Sequence, residues 1–140
     1  MAGRRLRVLL VGHVGAASVA LSTWLSEREK RLDVAGPAET TAAALALAAR
    51  FKPDVVLLDF HGLPVSISYI VSLLKELSPS PPVVVLTHDA SDTMRRRCRE
   101  ARVDAVFDKT TELEAVAALL EQTSKSLAET QAQAARPIEV

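Results

Sequence analysis

Unbroken apolar runs alternate with amphipathic stretches along most of this chain. Val55-Val56-Leu57-Leu58 ends at Asp59 and Val83-Val84-Val85-Leu86 ends at Thr87, each run rich in β-branched Val and set off by Pro53 or Pro82. Apolar runs without polar alternation predict strands buried on both faces, the signature of a parallel sheet covered by helices. The same reading places a first strand at residues 6–11 and a short second one at 32–35, stopping before the turn signal Gly36-Pro37. A third falls at 54–59, a fourth at 83–86 with Thr87 closing it, and a fifth at 104–107.

Between these runs the period changes to helical. Ala17, Leu21, Trp24, Leu25 and Arg28 predict a first helix, with Arg28 snorkelling at its rim. Thr40 or Thr41 caps a second, Ala- and Leu-rich helix that runs through Arg50. Beyond Phe60-His61-Gly62-Leu63-Pro64, the positions Ile67, Ile70, Val71, Leu74 and Leu77 mark one face of a third, stopped by Pro79, Pro81 and Pro82. Met94, Cys98 and Ala101 line the inner side of a fourth. Thr111 with Glu114 forms a capping box for the fifth, whose stripe is Leu113, Val116, Ala117 and Leu120. Beyond Gln122 the chain turns polar, a composition that suits either an extension of the last helix or a frayed tail.

Five strand-helix pairs in strict alternation predict the α/β class: a five-stranded parallel sheet, doubly wound as (βα)5, flavodoxin-like, with strand order 2-1-3-4-5. Residues 5–122 form this one domain and residues 123–140 the extension or tail. A length of 140 residues suffices for a core without staples. Balanced charge, 17 basic against 17 acidic side chains, points to neither a membrane nor nucleic acid as partner. The single cysteine, Cys98, excludes a disulfide framework and a cysteine-rich zinc site, and its spacing predicts a buried small apolar residue. The apolar stretch Val8–Val11 is too short for a signal peptide or a membrane span, so a soluble, cytoplasmic protein is expected.

In open α/β sheets ligands bind at the C-terminal ends of the strands. There this chain places a carboxylate, Asp59, a hydroxyl, Thr87, and an ammonium, Lys109. With Thr87 following Asp59 by 28 residues and Lys109 following Thr87 by 22, over five βα units, the sequence resembles the receiver domain of bacterial two-component response regulators. The stretches Val83–Thr87, Arg95-Arg96-Arg97-Cys98 and Ala105–Lys109 are also similar to short regulators that carry a receiver and no effector domain. The resemblance implies that Asp59 accepts phosphate from a histidine kinase or phosphotransfer protein, that Thr87 binds the phosphoryl oxygens and that Lys109 pairs with the phosphate. It also implies Mg2+ as the ion needed for transfer, and a target or homodimer contact through the fourth helix, fifth strand and fifth helix.

The sequence departs from that family at four places. Receivers carry an acidic pair just after the first strand, and here those positions are Gly12 and His13. Magnesium requires oxygen ligands in octahedral array, for which a histidine nitrogen is a poor substitute. The aromatic switch residue three places before the lysine is Val106, with Phe107 on the opposite face of the strand. The proline that commonly follows the lysine is Thr110, and the proline expected four places after the acceptor comes at five, Pro64.

Three further features carry weaker signals. His13, His61 and His88 all follow strands on the rim of Asp59, so that imidazoles and a carboxylate could hold zinc or another borderline metal, although ordinary exposed loop histidines give the same pattern. The turn from Gly12 to Ser18, a Gly-x-x-Gly before a helix, could cradle a phosphate on its amides, but lacks the lysine of a P-loop. Arg95, Arg96, Arg97, Arg99 and Arg102 give the fourth helix a basic outer face that suits an acidic protein partner, while the absence of interleaved aromatics argues against nucleic acid. The functional expectation is a stand-alone receiver in a two-component phosphorelay, acting by protein contact and not as an enzyme. Its alternatives are a phosphate-independent pseudo-receiver adaptor and a small nucleotide- or phosphate-binding module.

Overall fold

A computed structural model describes residues 4–12, 15–59 and 67–134 of the chain. The elements alternate as the apolar runs predict: β1 (Leu6–Val11), α1 (Ala16–Arg28), β2 (Leu32–Ala38), α2 (Thr41–Phe51), β3 (Val55–Asp59), α3 (Ile67–Lys75), β4 (Val83–Thr87), α4 (Asp92–Glu100), β5 (Ala105–Asp108) and α5 (Leu113–Ala134). The strands form one sheet in the order β2-β1-β3-β4-β5, each adjacent pair parallel. None of the described helices is long and apolar enough to cross a membrane.

Strand pleating sends alternate side chains to opposite faces, and each central strand contributes to two cores. Leu9, Val11, Val56, Leu58, Val83 and Val85 meet Ala44 and Ala48 of α2, Ile70 and Leu74 of α3, and Met94 and Cys98 of α4. On the other face Leu6, Val8, Leu10, Leu57, Val84 and Leu86 meet Leu21 and Leu25 of α1 and Val116 and Leu120 of α5. All five residues of β3 and all five of β4 are buried, which is why those runs show no polar alternation. Cys98 is fully buried, as its spacing predicts, and burial pushes its thiol above the ordinary range.

Several boundaries differ from the sequence reading, each for a local reason. The second strand does not stop at Gly36-Pro37 but runs through it to Ala38. The pairing with β1 shifts register between Leu9 and Val11, and Gly36 takes φ +96° where a Cβ would lie 2.3 Å from the Leu10 carbonyl oxygen. The turn signal is thus an irregularity within an edge strand, where a residue without a backbone N–H is tolerated. Thr40, not Thr41, caps α2, its hydroxyl accepting from the Ala43 N–H at 3.0 Å. The fifth strand lies one residue later than predicted, at Ala105–Asp108.

The predicted box of Thr111 and Glu114 does not form, because Glu114 is drawn to Arg28 of α1. The turn into α5 is closed instead by Asp108, whose carboxylate accepts from the Thr110 and Thr111 amides at 2.7 and 3.3 Å, and by Glu112, which accepts from the Asp108 amide at 3.0 Å. Ala17 is exposed, not part of the inner stripe of α1, and α3 ends at Lys75, before Leu77. The polar extension beyond Gln122 continues α5 as helix to Ala134, with Ser124 buried and Leu127 packed on the α1-side core.

The edge opposite the strand C-termini is tied by Asp54. Its carboxylate takes a two-pronged contact from Arg4, 2.7 Å on each oxygen, and accepts from the Arg7 amide at 2.8 Å. Burial alone would raise the Asp54 pKa, but these hydrogen bonds outweigh it and hold the carboxyl below its ordinary value. A group depressed in the folded state contributes stability at pH values above its unfolded pKa, and that contribution is lost as pH falls through the folded one. Wild type should therefore lose thermal stability steadily between about pH 5 and pH 2. Asp54→Asn should start lower at neutral pH and fall less over the same interval in a calorimetric Tm series.

Candidate functional site

Two of the three predicted site residues meet directly. Asp59 ends β3 with its side chain only 8% exposed, and Lys109, just past β5 and 14% exposed, places its ammonium 2.9 Å from each carboxylate oxygen. They belong together because the sheet order brings the ends of β3, β4 and β5 side by side, and because residues 59 and 109 share strand parity with Leu57 and Phe107 of the α1-side core. Thr87 is buried at the end of β4, the strand between β3 and β5, and its backbone carbonyl accepts from the Lys109 amide at 2.9 Å. Its hydroxyl accepts from the Asp89 amide at 3.0 Å. Asp59 and Lys109 are therefore brought together as an ion pair, while the Thr87 hydroxyl is engaged in its own turn, on the strand parity of Val83 and Val85 in the other core.

Gly12 sets the tightest constraint on the site. A Cβ built on it would lie 2.9 Å from the Asp59 Cβ and 3.3 Å from the Asp59 carbonyl oxygen. A side chain at position 12, the carboxylate that the receiver resemblance implies included, would therefore collide with Asp59 itself. Together with the Lys109 ammonium spanning both Asp59 oxygens, this leaves the described residues a poor fit for the oxygen-ligated Mg2+ that a receiver resemblance implies. Among the described residues no three His, Cys, Asp or Glu side chains converge on a metal position. His13 and His61 of the alternative metal set, and Pro64, lie outside the described residues. His88 is exposed on the rim, its Nδ1 3.1 Å from the Thr110 hydroxyl.

Two amides of the Gly-x-x-Gly turn are already used. The Gly12 N–H donates to the Ala38 carbonyl at 2.8 Å and the Gly15 N–H to the Ser18 hydroxyl at 3.0 Å. A phosphate cradle on these two amides would have to break both bonds.

The basic face of α4 divides in two. Arg95 does not look outward as expected. Its guanidinium donates to the Ala90 carbonyl at 3.1 Å, to the Val106 carbonyl at 3.2 Å and to Glu112 at 3.0 Å. One side chain thus ties the β4–α4 loop to β5 and to the turn that carries Lys109, a role that the sequence showed only as one arginine among five. Arg96, Arg97, Arg99 and Arg102 are exposed and form no ion pair among the described residues. Val106 packs toward the α2–α4 core and Phe107 toward the α1 core, which confirms that the aromatic is on the other face from the switch position.

A parallel sheet in 2-1-3-4-5 order with an acid-lysine pair at its strand ends defines the class, and comparison with known proteins agrees. The receiver domain of a DNA-binding response regulator from Colwellia psychrerythraea superposes with a TM-score of 0.75 at 18% identity, covering 86% of this chain and 98% of that one. The beryllofluoride-activated receiver domain of RstA from Klebsiella pneumoniae gives 0.72 at 23% identity, covering 84% and 97%. The response regulator domain of CheB from Thermotoga maritima gives 0.68 at 18%, covering 96% and 100%. The chain has the fold of response-regulator receiver domains.

In sequence, it is 37% identical over 109 residues to a protein-glutamate methylesterase/protein-glutamine glutaminase of Cereibacter sphaeroides. The match takes in 73% of this chain, which spans only 28% of the length of that relative. No model of a known protein family matches the sequence.

Two outcomes follow from the packing around Asp59. Gly12→Ala should cost about 2 kcal/mol in urea unfolding, the scale of an overpacked core, whereas an ordinary exposed glycine in a turn would show little change. Lys109→Met should cost about 3 kcal/mol by leaving a buried carboxylate without its cation. Adding Asp59→Asn to it should recover part of that loss, and strictly additive effects in the double variant would show that the pair does not act as a unit.

Proposed function

We propose that this chain is a receiver-type regulatory domain of two-component signalling that works in the cytoplasm by protein contact, with Asp59 as phosphoacceptor. The observation that carries the reading is the buried Asp59–Lys109 pair at adjoining strand ends, with Thr87 held against it through the backbone. A carboxylate nucleophile needs positioned cations and hydroxyl donors for the phosphoryl charge that it gains. An Asp59 oxygen would attack the phosphorus of a phosphohistidine or an acyl phosphate, forming an acyl phosphate as the bond to imidazole nitrogen or acetate oxygen breaks. Lys109 would pass from carboxylate to phosphoryl oxygen, and the Thr87 hydroxyl would turn from the Asp89 amide to donate to the same group.

The reporting surface would be α4, β5 and α5. Arg96, Arg99 and Arg102 supply exposed guanidinium forks that suit carboxylates of a protein target or of a second copy. Arg95 belongs to the internal tie and not to that surface. A histidine kinase or a phosphotransfer protein would be the phosphate donor.

Gly12 favours a second reading, a pseudo-receiver whose surface is held in one state by the permanent ion pair. Intact-mass spectrometry after incubation with acetyl phosphate, with magnesium, with manganese and without added metal, separates the two. A single phosphate adduct on wild type that is absent from Asp59→Asn is the expected result. An unmodified wild type under all three conditions would establish the phosphate-independent adaptor.

A further inference from the structure

A cleft of about 460 Å³ opens beside Lys109 on the α1 side of the sheet, lined by Ala17, Ala20, Leu21, Trp24, His88 and Leu113 together with the lysine. Its size falls within the range of small-molecule sites, which are apolar concavities with a few convergent polar groups. The room comes from α1, which presents the two small residues Ala17 and Ala20 one turn apart in front of the Trp24 ring. Below, the seam between α1 and α5 is latched by the ion pair of Arg28 with Glu114, and Arg28 lies 5.7 Å over the Trp24 ring. The cleft and this latch therefore share Trp24.

Its electrostatics choose the ligand. Among the described residues that line it, Lys109 and His88 carry the ionisable groups, the Trp24 indole N–H is a further donor, and no acid is present. The ammonium has three N–H donors and spends two on Asp59, leaving one for a group that enters the cleft. Apolar walls strengthen such a charge-assisted bond and disfavour an unpaired cation.

We propose that this cleft binds a small apolar carboxylic acid, with the hydrocarbon against Ala17, Ala20, Trp24 and Leu113 and the carboxylate on Lys109. Because the ligand and Asp59 share one ammonium, each weakens the hold of the other. Binding here would loosen the pair that ends β3 and β5 without any phosphate. The inference does not depend on whether Asp59 is phosphorylated.

Trp24 is the single tryptophan of the chain and reports on the cleft directly. Octanoate and its uncharged isostere octanamide would be titrated against intrinsic fluorescence on wild type, Asp59→Asn and Ala20→Phe. Octanoate should bind wild type more tightly than octanamide and gain about tenfold in Asp59→Asn, where the ammonium is released, while octanamide binding stays unchanged. Ala20→Phe, an exposed change that fills the cleft, should abolish both. The proposal is overturned by silence of wild type up to the micellar limit of octanoate, by equal affinity for acid and amide with no response to Asp59→Asn, or by binding that survives Ala20→Phe. Circular dichroism of each variant verifies that folding is retained.

Discussion

A carboxylate and an ammonium, each largely shut away from water, can coexist at the rim of this sheet only because each satisfies the other. The charges of Asp59 and Lys109 would be expensive to bury singly, and their mutual contact on both carboxylate oxygens makes the burial tolerable. Much of the local architecture serves that contact. Strand order sets the two residues on neighbouring ends, Gly12 lets β1 press against Asp59, and the carbonyl of Thr87 holds the Lys109 amide. The Asp108–Glu112 turn and the three-way Arg95 contact then fix the loop from which Lys109 springs. A charge pair of this kind contributes less to net stability than to choosing one geometry among several for the surrounding loops.

The architecture was legible because it rests on period. Strands buried on both faces have no polar positions to lose, and β3 and β4 were read to within a residue from their Val-rich runs alone. Asp59 and Lys109 were legible for a related reason, since a charged residue closing an apolar run stands out against its background. What the sequence hid was geometry that depends on close approach. Gly36-Pro37 looks like a turn in any window of sequence, and only the register with β1 reveals it inside a strand. Thr111 and Glu114 have the spacing of a capping box, but Arg28, 86 residues away from Glu114, takes the acid first. Arg95 was indistinguishable from its neighbours on α4 until the Val106 carbonyl and Glu112 were placed beside it.

The molecule is neutral as a whole and polarised in detail. Exposed arginines with no ion pair among the described residues collect on α4, while Glu29, Glu114 and Glu121 lie with Arg28 on the opposite side of the sheet, along the seam of α1 and α5. A net charge near zero therefore conceals an uneven distribution, with guanidinium groups that form no ion pair among the described residues on one side and largely paired charges on the other, so partners that meet different sides of this domain encounter different electrostatic surfaces.

The contact between Gly12 and Asp59 also makes sequence change at the site dependent on its order. An acidic residue introduced at position 12 meets the Asp59 Cβ and backbone before its carboxylate can reach any useful position. Only a chain in which β3 had already drawn back, by some other substitution beneath it, could accept that acid without loss. The glycine thus behaves as a ratchet tooth: an acid at position 12, one half of an acidic pair, is the step that the packing forbids to come first.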